Sequence, residues 1–499
     1  MNYTLGVDIG TFESKGVLVA AGGRIVAQAS RPHRMIVPRP GWAEHRADQD
    51  WWGDFVFITK ALLAESEVRA SDIIAVATSA IGPCMLPVDA AGTPLMNGVL
   101  YGVDTRAQAE IELLNGTIGK DVIALHSGMA LTSQAVGPKI LWLRRTHPDL
   151  WAKTAKVMSA TSYLTFRLTG EVVIDHHTAA GFAPLYDSVA QRWDCGLSGI
   201  CDETLLPRIL WASDIAGQVT PKAALETGLA PGTPVTCGTI DACAEAVSVG
   251  VSAPGDMMMM YGSTIFTVQI TTDRLTDPRL WHTPWLFPGQ FGSMAGLATS
   301  GTLTHWFRDQ FARDLATDTA FAVLTDEALT SPPGAKGLLC LPYFSGERTP
   351  LHDPLAKGAF FGLNLTHSRG DMYRAVLEGI ASATRAITNC YAEAGSPPVR
   401  VLAVGGGTKN APWLQATSDL TGLDQSICAV TVGASYGDAY LAALAVGAAE
   451  LGDIALWNPV DRVVRAERHA VYDRQYPLFQ QLYLQTKKIM AALDNAADQ

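Results

Sequence analysis

Charged residues are scarce in this 499-residue chain, at 17% against a usual share of about 25%. With 48% hydrophobic residues and 46 glycines, that scarcity excludes an intrinsically disordered chain and a coiled coil. Positive charge is the scarcer sign: 37 Lys and Arg stand against 48 Asp and Glu, a net charge of −11, and no dense basic run offsets it. A broad face for nucleic acid or an anionic membrane is therefore not expected. An anionic ligand has to be held locally, by backbone N–H groups at a turn or helix start. The eight cysteines, from Cys84 to Cys428, include no C-x-x-C and no zinc spacing, so they are expected as buried thiols in a reducing cytosol. No basic segment followed by an apolar stretch opens the chain, which begins on a strand at Tyr3, and a cytoplasmic protein is expected. The apolar runs around Ile73–Val88 and Leu441–Ala449 are interrupted or too short for the roughly 18–20 residues of a membrane span.

Familiar catalytic signatures are missing as well. There is no G-x-x-x-x-G-K-[ST], so a P-loop is absent, and no H-E-x-x-H among the eleven histidines. The Ser–Gly pairs in Phe344-Ser345-Gly346 and Thr299-Ser300-Gly301 do not build a nucleophile elbow. Gly405-Gly406-Gly407-Thr408-Lys409-Asn410 follows the apolar run Val401–Val404 but lacks the last Gly of a dinucleotide fingerprint. It is either a tight strand-to-helix turn or a place where backbone approaches a ligand at the N-terminus of the next helix.

What is present reads as α/β. Three β-runs, Thr4–Ile9, Lys15–Ala20 and Arg24–Ala29, predict an opening antiparallel meander, after which helical patterns (Asp48–Glu65, Arg106–Leu114, Lys139–Arg145) alternate with short apolar runs (Ile73–Ala77, Val157–Ser159, Val235–Cys237). Strand, Gly-hydroxyl turn and strand occur at Leu5–Ala20 and again at Met257–Ile270. This is either an internal duplication or two ordinary hairpins. Two domains are expected, residues 1–245 and 246–499, packed around a cleft.

Two carboxylates stand at turns where chemistry is plausible. Asp8-Ile9-Gly10-Thr11, with Ser14 and Lys15, can present donors to a phosphate while Asp8 faces its metal ion, or it can be a hairpin satisfying its own turn. Glu13 is the anomaly there, because a carboxylate beside phosphate repels it. Asp241 follows Thr236-Cys237-Gly238-Thr239-Ile240 and precedes the apolar helix Ala242–Val249. It is either that helix's N-cap or a general base.

Taken together these segments resemble the FGGY family of carbohydrate kinases nearly end to end. Val7–Lys15 resembles the family's first phosphate motif, Pro40-Gly41-Trp42-Ala43-Glu44 its Pro-Gly-Trp-x-Glu segment, Asp104-x-Arg106 its Asp-x-Arg segment, Gly238–Asp241 its catalytic turn, and Gly262-Ser263-Thr264 its second phosphate motif. The most specific stretch is Leu341–Pro350, followed by Gly358–Leu363 and Arg374–Gly379. The resemblance implies a two-domain ribonuclease H-like fold of the actin/hexokinase superfamily, a phosphotransferase with an alcohol acceptor, ATP and Mg2+ as cofactors, a small sugar as substrate, and a homodimer. It implies that Asp241 takes the proton of the attacking hydroxyl and that Asp8 sits at the magnesium. Gly10, Thr11, Ser14, Lys15 and the Gly262-Ser263-Thr264 turn would hold phosphates, while Gly301, Gly405–Gly407 and Asn410 would contact the nucleoside. The N-terminal domain would bind sugar and phosphate, and the C-terminal domain the nucleotide.

The acceptor is where the chain departs from the pattern. A ketopentose such as D-xylulose is the first expectation, yet the Gln-Met-His-Gly run of xylulose kinases is replaced by Ile81-Gly82-Pro83-Cys84, and Trp-Asn-Asp-Gly-Arg by Gly102-Val103-Asp104-Thr105-Arg106. Gly82, Pro83, Asp104, Arg106 and Asp241 are the expected sugar contacts. Another pentulose, a polyol, a sugar acid or an autoinducer-type pentanedione is the alternative acceptor. A catalytically silent ATP-binding protein is the alternative of another class.

Overall fold

A computed structural model describes residues 2–497. The chain forms two compact α/β units. The first comprises Met1–Ser252, Ile270–Gly292 and Val432–Pro459, and the second Ala253–Gln269, Ser293–Thr431 and Val460–Gln499. The main division falls a few residues beyond the expected 245/246, and two later segments return to the first unit.

In the first unit, β1 (Tyr3–Ile9), β2 (Glu13–Ala20) and β3 (Ile25–Pro32) form the expected antiparallel meander, continued by β4 (Ile73–Ala80), β5 (Ile215–Gln218) and β6 (Pro234–Thr236) in the order β5-β6-β4-β1-β2-β3. β1 runs parallel to β4, as β4 does to β6. Successive side chains on β1 go to opposite faces. Leu5, Val7 and Ile9 are buried in the cluster that holds Phe55, Ile58 and Leu62 of the Gly53–Glu65 helix. The other face carries Gly6 and Asp8. The helix expected from Asp48 begins as a π-helical turn, Ala47–Trp52. Its wider turn reduces the angle between adjacent residues and leaves both Trp51 and Trp52 buried.

In the second unit, β7 (Asp256–Tyr261), β8 (Ile265–Thr271), β9 (Arg400–Val404), β10 (Gln425–Cys428) and β11 (Val460–Val464) run in the order β8-β7-β9-β10-β11. β7 is antiparallel to β8 and parallel to β9, the relation β1 bears to β2 and β4. The repeated strand-turn-strand pattern is thus a repeat of sheet topology. The run of four methionines is strand β7, with Met257, Met258 and Met259 buried.

The helix Ala434–Ala445 packs on β1 of the first unit at glycine distance. A Cβ on Gly6 would overlap the Ser435 carbonyl oxygen, and one on Gly437 the Ala244 carbonyl oxygen. Backbone atoms cannot retreat as a flexible side chain can. Gly6→Ala is therefore expected to destabilise the protein by at least about 2 kcal/mol, read as a lowered unfolding temperature. An unchanged transition would refute the close packing.

Candidate functional site

The end of β1, the Asp241–Ser248 helix and the Ala434–Ala445 helix bring four carboxylates together, Asp8, Asp241, Glu245 and Asp438, beside Ser79 of β4. Asp8 lies opposite Lys15 on β2 and beside Ser79 on β4. The Ser79 hydroxyl lies 3.1 Å from Asp8 Oδ1 and 2.7 Å from Asp438 Oδ2, which also accepts from the Ser79 N–H. The second oxygen of Asp438 is buried without a hydrogen-bond partner among the described residues. Burial holds the Asp8 carboxyl well above its usual range, and the nearby Asp241 adds to it. Burial does the same for Asp438, with Asp8 as the next cause.

Asp241 occupies the first helical position, and the cap position belongs to Ile240, so no side-chain cap bond is made. Asp241 Oδ1 accepts from the Ala242 N–H at 2.7 Å, and Oδ2 accepts no hydrogen bond among the described residues. Burial raises its pKa to about 6. Glu245, one turn on, is pushed to about 7 by burial, with Lys15 pulling it down and Asp241 up. Beside this cluster runs Ile81-Gly82-Pro83-Cys84: Ile81 N–H donates to the Ile9 carbonyl, and a Cβ on Gly82 would overlap Ile240. Gly82 is therefore next to the residue that precedes Asp241, while Pro83 packs against Gly181.

The phosphate-type turn follows directly, with Gly10 N–H donating to the Glu13 carbonyl and Thr11 Oγ1 bonded to Tyr101 OH at 3.1 Å. Glu13 pairs with Lys15 at 3.3 Å, both about half exposed, which accounts for its place beside the turn. Ser14 corrects the sequence expectation. Being one residue out of step with Lys15, it goes to the opposite face of β2, where it is fully buried and donates to Asp54 Oδ2 at 2.8 Å. It has no access to a phosphate.

Asp104 and Arg106 are a second correction. Both side chains are fully buried, and the Asp104 carboxylate is occupied by the Ala43 N–H, the Arg106 N–H and the Arg106 guanidinium. Arg106 also pairs with Glu44 at 2.9 Å and lies 3.8 Å over the Trp42 ring. The Pro-Gly-Trp-x-Glu and Asp-x-Arg segments are thus halves of one clasp, not sugar contacts. Lys139, also buried, donates to the Leu100 and Ser133 carbonyls at 2.7 Å. Its pKa is lowered to about 8 by burial, against the attraction of Asp104.

In the second unit, the Gly262-Ser263-Thr264 turn joins β7 to β8. Its Gly262 and Ser263 carbonyls accept from Gly301, Ser300 and Thr302 N–H at the start of the Gly301–Phe311 helix. Gly405 follows β9 with φ +92°, and its Cβ would lie 2.7 Å from the Tyr261 carbonyl oxygen, so only glycine fits. Gly406 faces open space, whereas Gly407 abuts Trp413 and Tyr261. Asn410 caps the Ala411–Thr421 helix by accepting from Trp413 N–H, and its amide bonds Tyr373 OH.

Three residues of the cluster escaped the sequence reading: Ser79, Glu245 and Asp438. The available signal for Asp438 was a carboxylate inside the otherwise small and apolar Ala434–Ala445 run, which has to be paired or protonated. Gly433-Ala434-Ser435-Tyr436-Gly437 has the spacing of a nucleophile elbow and was also passed over. Ser435 lies fully buried in that helix, so it is no nucleophile.

The chain is 27% identical over 507 residues to the xylulose kinase of Bacillus subtilis (strain 168), covering 99% of each. It is 28% identical over 533 residues to the ribulokinase of Geobacillus thermodenitrificans (strain NG80-2), covering 98% of this chain and 94% of that one. The crystal structure of xylulose kinase from Rhodospirillum rubrum superposes with a TM-score of 0.92 at 29% identity, over 98% of this chain and 100% of that one. The fold is the two-unit α/β fold of the actin/hexokinase superfamily, and the enzyme is a phosphotransferase with an alcohol group as acceptor. With the N-terminal domain of the FGGY family of carbohydrate kinases matching residues 3–248 and the C-terminal domain residues 257–446, the chain belongs to that family. No helix among the described residues is long and apolar enough to cross a membrane.

Two outcomes follow from the geometry. Arg106→Ala strands the buried Asp104 carboxylate and is expected to cost about 3–5 kcal/mol of stability. A normally stable variant with only a raised KM for the sugar would restore the donor role. Glu245 gives a pH signature. Its pKa is raised in the folded state, so its contribution to stability is fully present below the unfolded value near 4.5 and is lost as pH rises through about 7. Glu245→Gln is immune to that loss. The unfolding temperature of the variant relative to wild type should rise between pH 5 and pH 8, by the equivalent of about 1–2 kcal/mol, because the partly solvated side chain realises less than the full shift. A gap that stays constant would show that Glu245 does not titrate there.

Proposed function

We propose that this kinase transfers the γ-phosphoryl group of ATP to a hydroxyl of a pentulose such as D-xylulose, with Asp241 as the general base. The observation that carries this reading is Asp241 itself. It starts a helix, is fixed through one oxygen by the Ala242 N–H, keeps the other oxygen free, and has a pKa near 6 set by burial. A base of that strength is ionised at neutral pH and close enough to it to take a proton as the hydroxyl attacks. Phosphoryl transfer asks for positioning and charge stabilisation more than for a strong base.

The first unit supplies the acceptor and catalytic groups. Lys15 and the donors of the Gly10-Thr11 turn serve the phosphates, and Asp8 serves Mg2+. The residues fit a hard divalent cation: Asp8 and Asp241 are oxygen donors whose mutual repulsion contributes to the raised Asp8 pKa, and a cation relieves it. Bound Mg2+ supplies charge neutralisation to the phosphate oxygens. The second unit carries the nucleotide turns, Gly262-Ser263-Thr264, Gly301 and Gly405–Gly407. A pentulose is supported by full-length similarity to both a xylulose kinase and a ribulokinase. Near-equal identity to the two leaves the choice between pentuloses to local residues. The Ile81–Cys84 segment offers only backbone, apolar groups and a thiol already donating to the Ile81 carbonyl. A site that makes no hydrogen bond to a hydroxyl cannot strongly reject an analogue lacking it.

Asp241→Asn should fold and bind ATP but lose on the order of a thousandfold or more in kcat, with little change in sugar KM, since the amide accepts no proton. In a coupled ADP-release screen of pentuloses, hexuloses, polyols, sugar acids and the autoinducer-type pentanedione, D-xylulose and at least one other acceptor should be turned over comparably. Near wild-type kcat in the variant would remove Asp241 from the mechanism. Turnover of D-xylulose alone would show that this site discriminates tightly after all.

A further inference from the structure

The turn from Gly10 to Glu13 is braced by a side chain that the sequence reading left out. His33, the residue after β3, donates its backbone N–H to the Phe12 carbonyl at 2.9 Å, and its ring Nε2 lies 3.0 Å from the Gly10 carbonyl oxygen. The side chain is 5% exposed. Its other nitrogen, Nδ1, lies 2.8 Å from Asp54 Oδ2 in the first turn of the Gly53–Glu65 helix. Ser14 donates to the same oxygen, and Arg31 stands 3.3 Å from Asp54 Oδ1. A carbonyl only accepts, and so does a carboxylate ionised beside an arginine. The ring therefore satisfies both neighbours only with a proton on each nitrogen.

This arrangement sorts the backbone groups of the turn. The Gly10 and Phe12 carbonyls are taken up by His33 and the Glu13 carbonyl by Gly10 N–H, whereas the Thr11 and Phe12 N–H groups donate to nothing among the described residues. Gly10 C=O and Thr11 N–H belong to one planar trans peptide group and point in opposite directions. A donor fixed on the carbonyl thus sets the direction of the N–H, and by polarising the peptide it strengthens that N–H as a donor. A charged donor does so more than a neutral one. We propose that His33 is a positioning residue of this kinase: by bridging Asp54 to the Gly10 carbonyl, it aims the Thr11 N–H at the phosphates of the nucleotide. His33 acts through the turn and not on the reacting atoms, and the inference rests on the reading of this turn as the phosphate holder.

Asn and Gln divide the two bonds of the ring, since the Asn amide nitrogen takes the place of Nδ1 and the Gln amide nitrogen that of Nε2. In the full-length enzyme His33→Asn, which keeps a donor for Asp54 and loses the one for Gly10, should raise both the KM and the Kd for ATP about tenfold or more, with the KM for the sugar unchanged. His33→Gln returns a donor to the Gly10 carbonyl and should recover most of that loss, although it breaks the pair with Asp54. His33→Leu supplies neither bond and reads the same ATP loss if His33→Asn does not fold. A histidine that served stability alone would lower the unfolding temperature without moving ATP relative to sugar. Lys15→Met is the reference for the turn itself. An unchanged KM for ATP in Lys15→Met would remove the phosphate reading of the turn and the proposal with it. A raised KM in Lys15→Met beside unchanged ATP affinity in folded His33→Asn, or a His33→Gln enzyme no better than His33→Asn, would overturn the positioning role alone.

Discussion

The first unit is organised around an electrostatic constraint: carboxylates gathered on one side of β1 and β4 with little positive charge to balance them. Asp8, Asp241, Glu245 and Asp438 all have pKa values above their ordinary ones, and burial is the first cause in each case. Lys15 is the cation directly opposite Asp8, and it is shared with Glu13. Such a cluster persists because the backbone fixes it. Asp8 is set by the β1–β2 and β1–β4 registers, Asp241 by the helix it begins, and Asp438 by a helix that can approach β1 only because residue 6 has no side chain. Ser79 adds a hydrogen bond on each side but has one hydroxyl proton to offer. The charge is therefore left incomplete by the protein itself. A phosphate ester with its divalent cation brings both signs at once, positive for the carboxylates and negative for Lys15 and the turn N–H groups. In the family to which this chain belongs, that is the substrate pair to be expected.

A second cluster of charge looks superficially similar and is its opposite. Around Arg106 most of the charge is paired: the guanidinium holds both Asp104 and Glu44 with Trp42 lying across it, while Arg106 Nη1 is buried without a hydrogen-bond partner among the described residues. Extensive pairing of buried charge restricts geometry, because breaking one contact leaves a buried charge uncompensated. Incomplete pairing invites a ligand. The distinction explains why two family segments of equal prominence in the sequence have different roles here. One clasps the loop after β3 to the segment at Leu100, and the other gathers carboxylates whose pKa values are raised by burial.

Short β-runs made β1 and β2 legible and a continuous apolar run β4, whereas the repeated strand, Gly-hydroxyl turn and strand fitted a duplication and two ordinary hairpins equally. The placement of Asp8, Gly10, Lys15 and Asp241 was legible because each stands beside a strand end or at a helix start, where local sequence fixes position. Ser14 was misjudged for want of the same rule: it alternates away from Lys15, so both cannot face one ligand. Asp104 and Arg106 were misjudged because a Coulombic partnership with Glu44, some sixty residues earlier in the chain, leaves no local trace. Asp438 and Ser79 could not be placed at all without the fold. The return of Ala434–Ala445 to the first sheet is a long-range event, and its one local sign is a carboxylate among small residues.

The duplicated hairpin shows how one framework comes to hold two kinds of surface. In β1 and β2 the next-to-last pair before the turn is Asp8 opposite Lys15; at the equivalent place in β7 and β8 it is Met260 opposite Phe266. Both copies keep glycine and a hydroxyl in the turn that follows, Gly10-Thr11 and Gly262-Ser263. The turn's backbone donors suit a phosphate in either copy, whereas the charged pair exists only in the first. Replacing it by methionine and phenylalanine makes the second copy unable to hold a metal ion or to polarise a hydroxyl, and leaves it a surface for weakly polar contacts. The β9 counterpart agrees, since the glycines after Val404 press backbone against Tyr261 and offer no ionisable group until Lys409. Two copies of one supersecondary unit thus separate charge from apolar contact, the first setting an ionisable pair beside its turn and the second an apolar one.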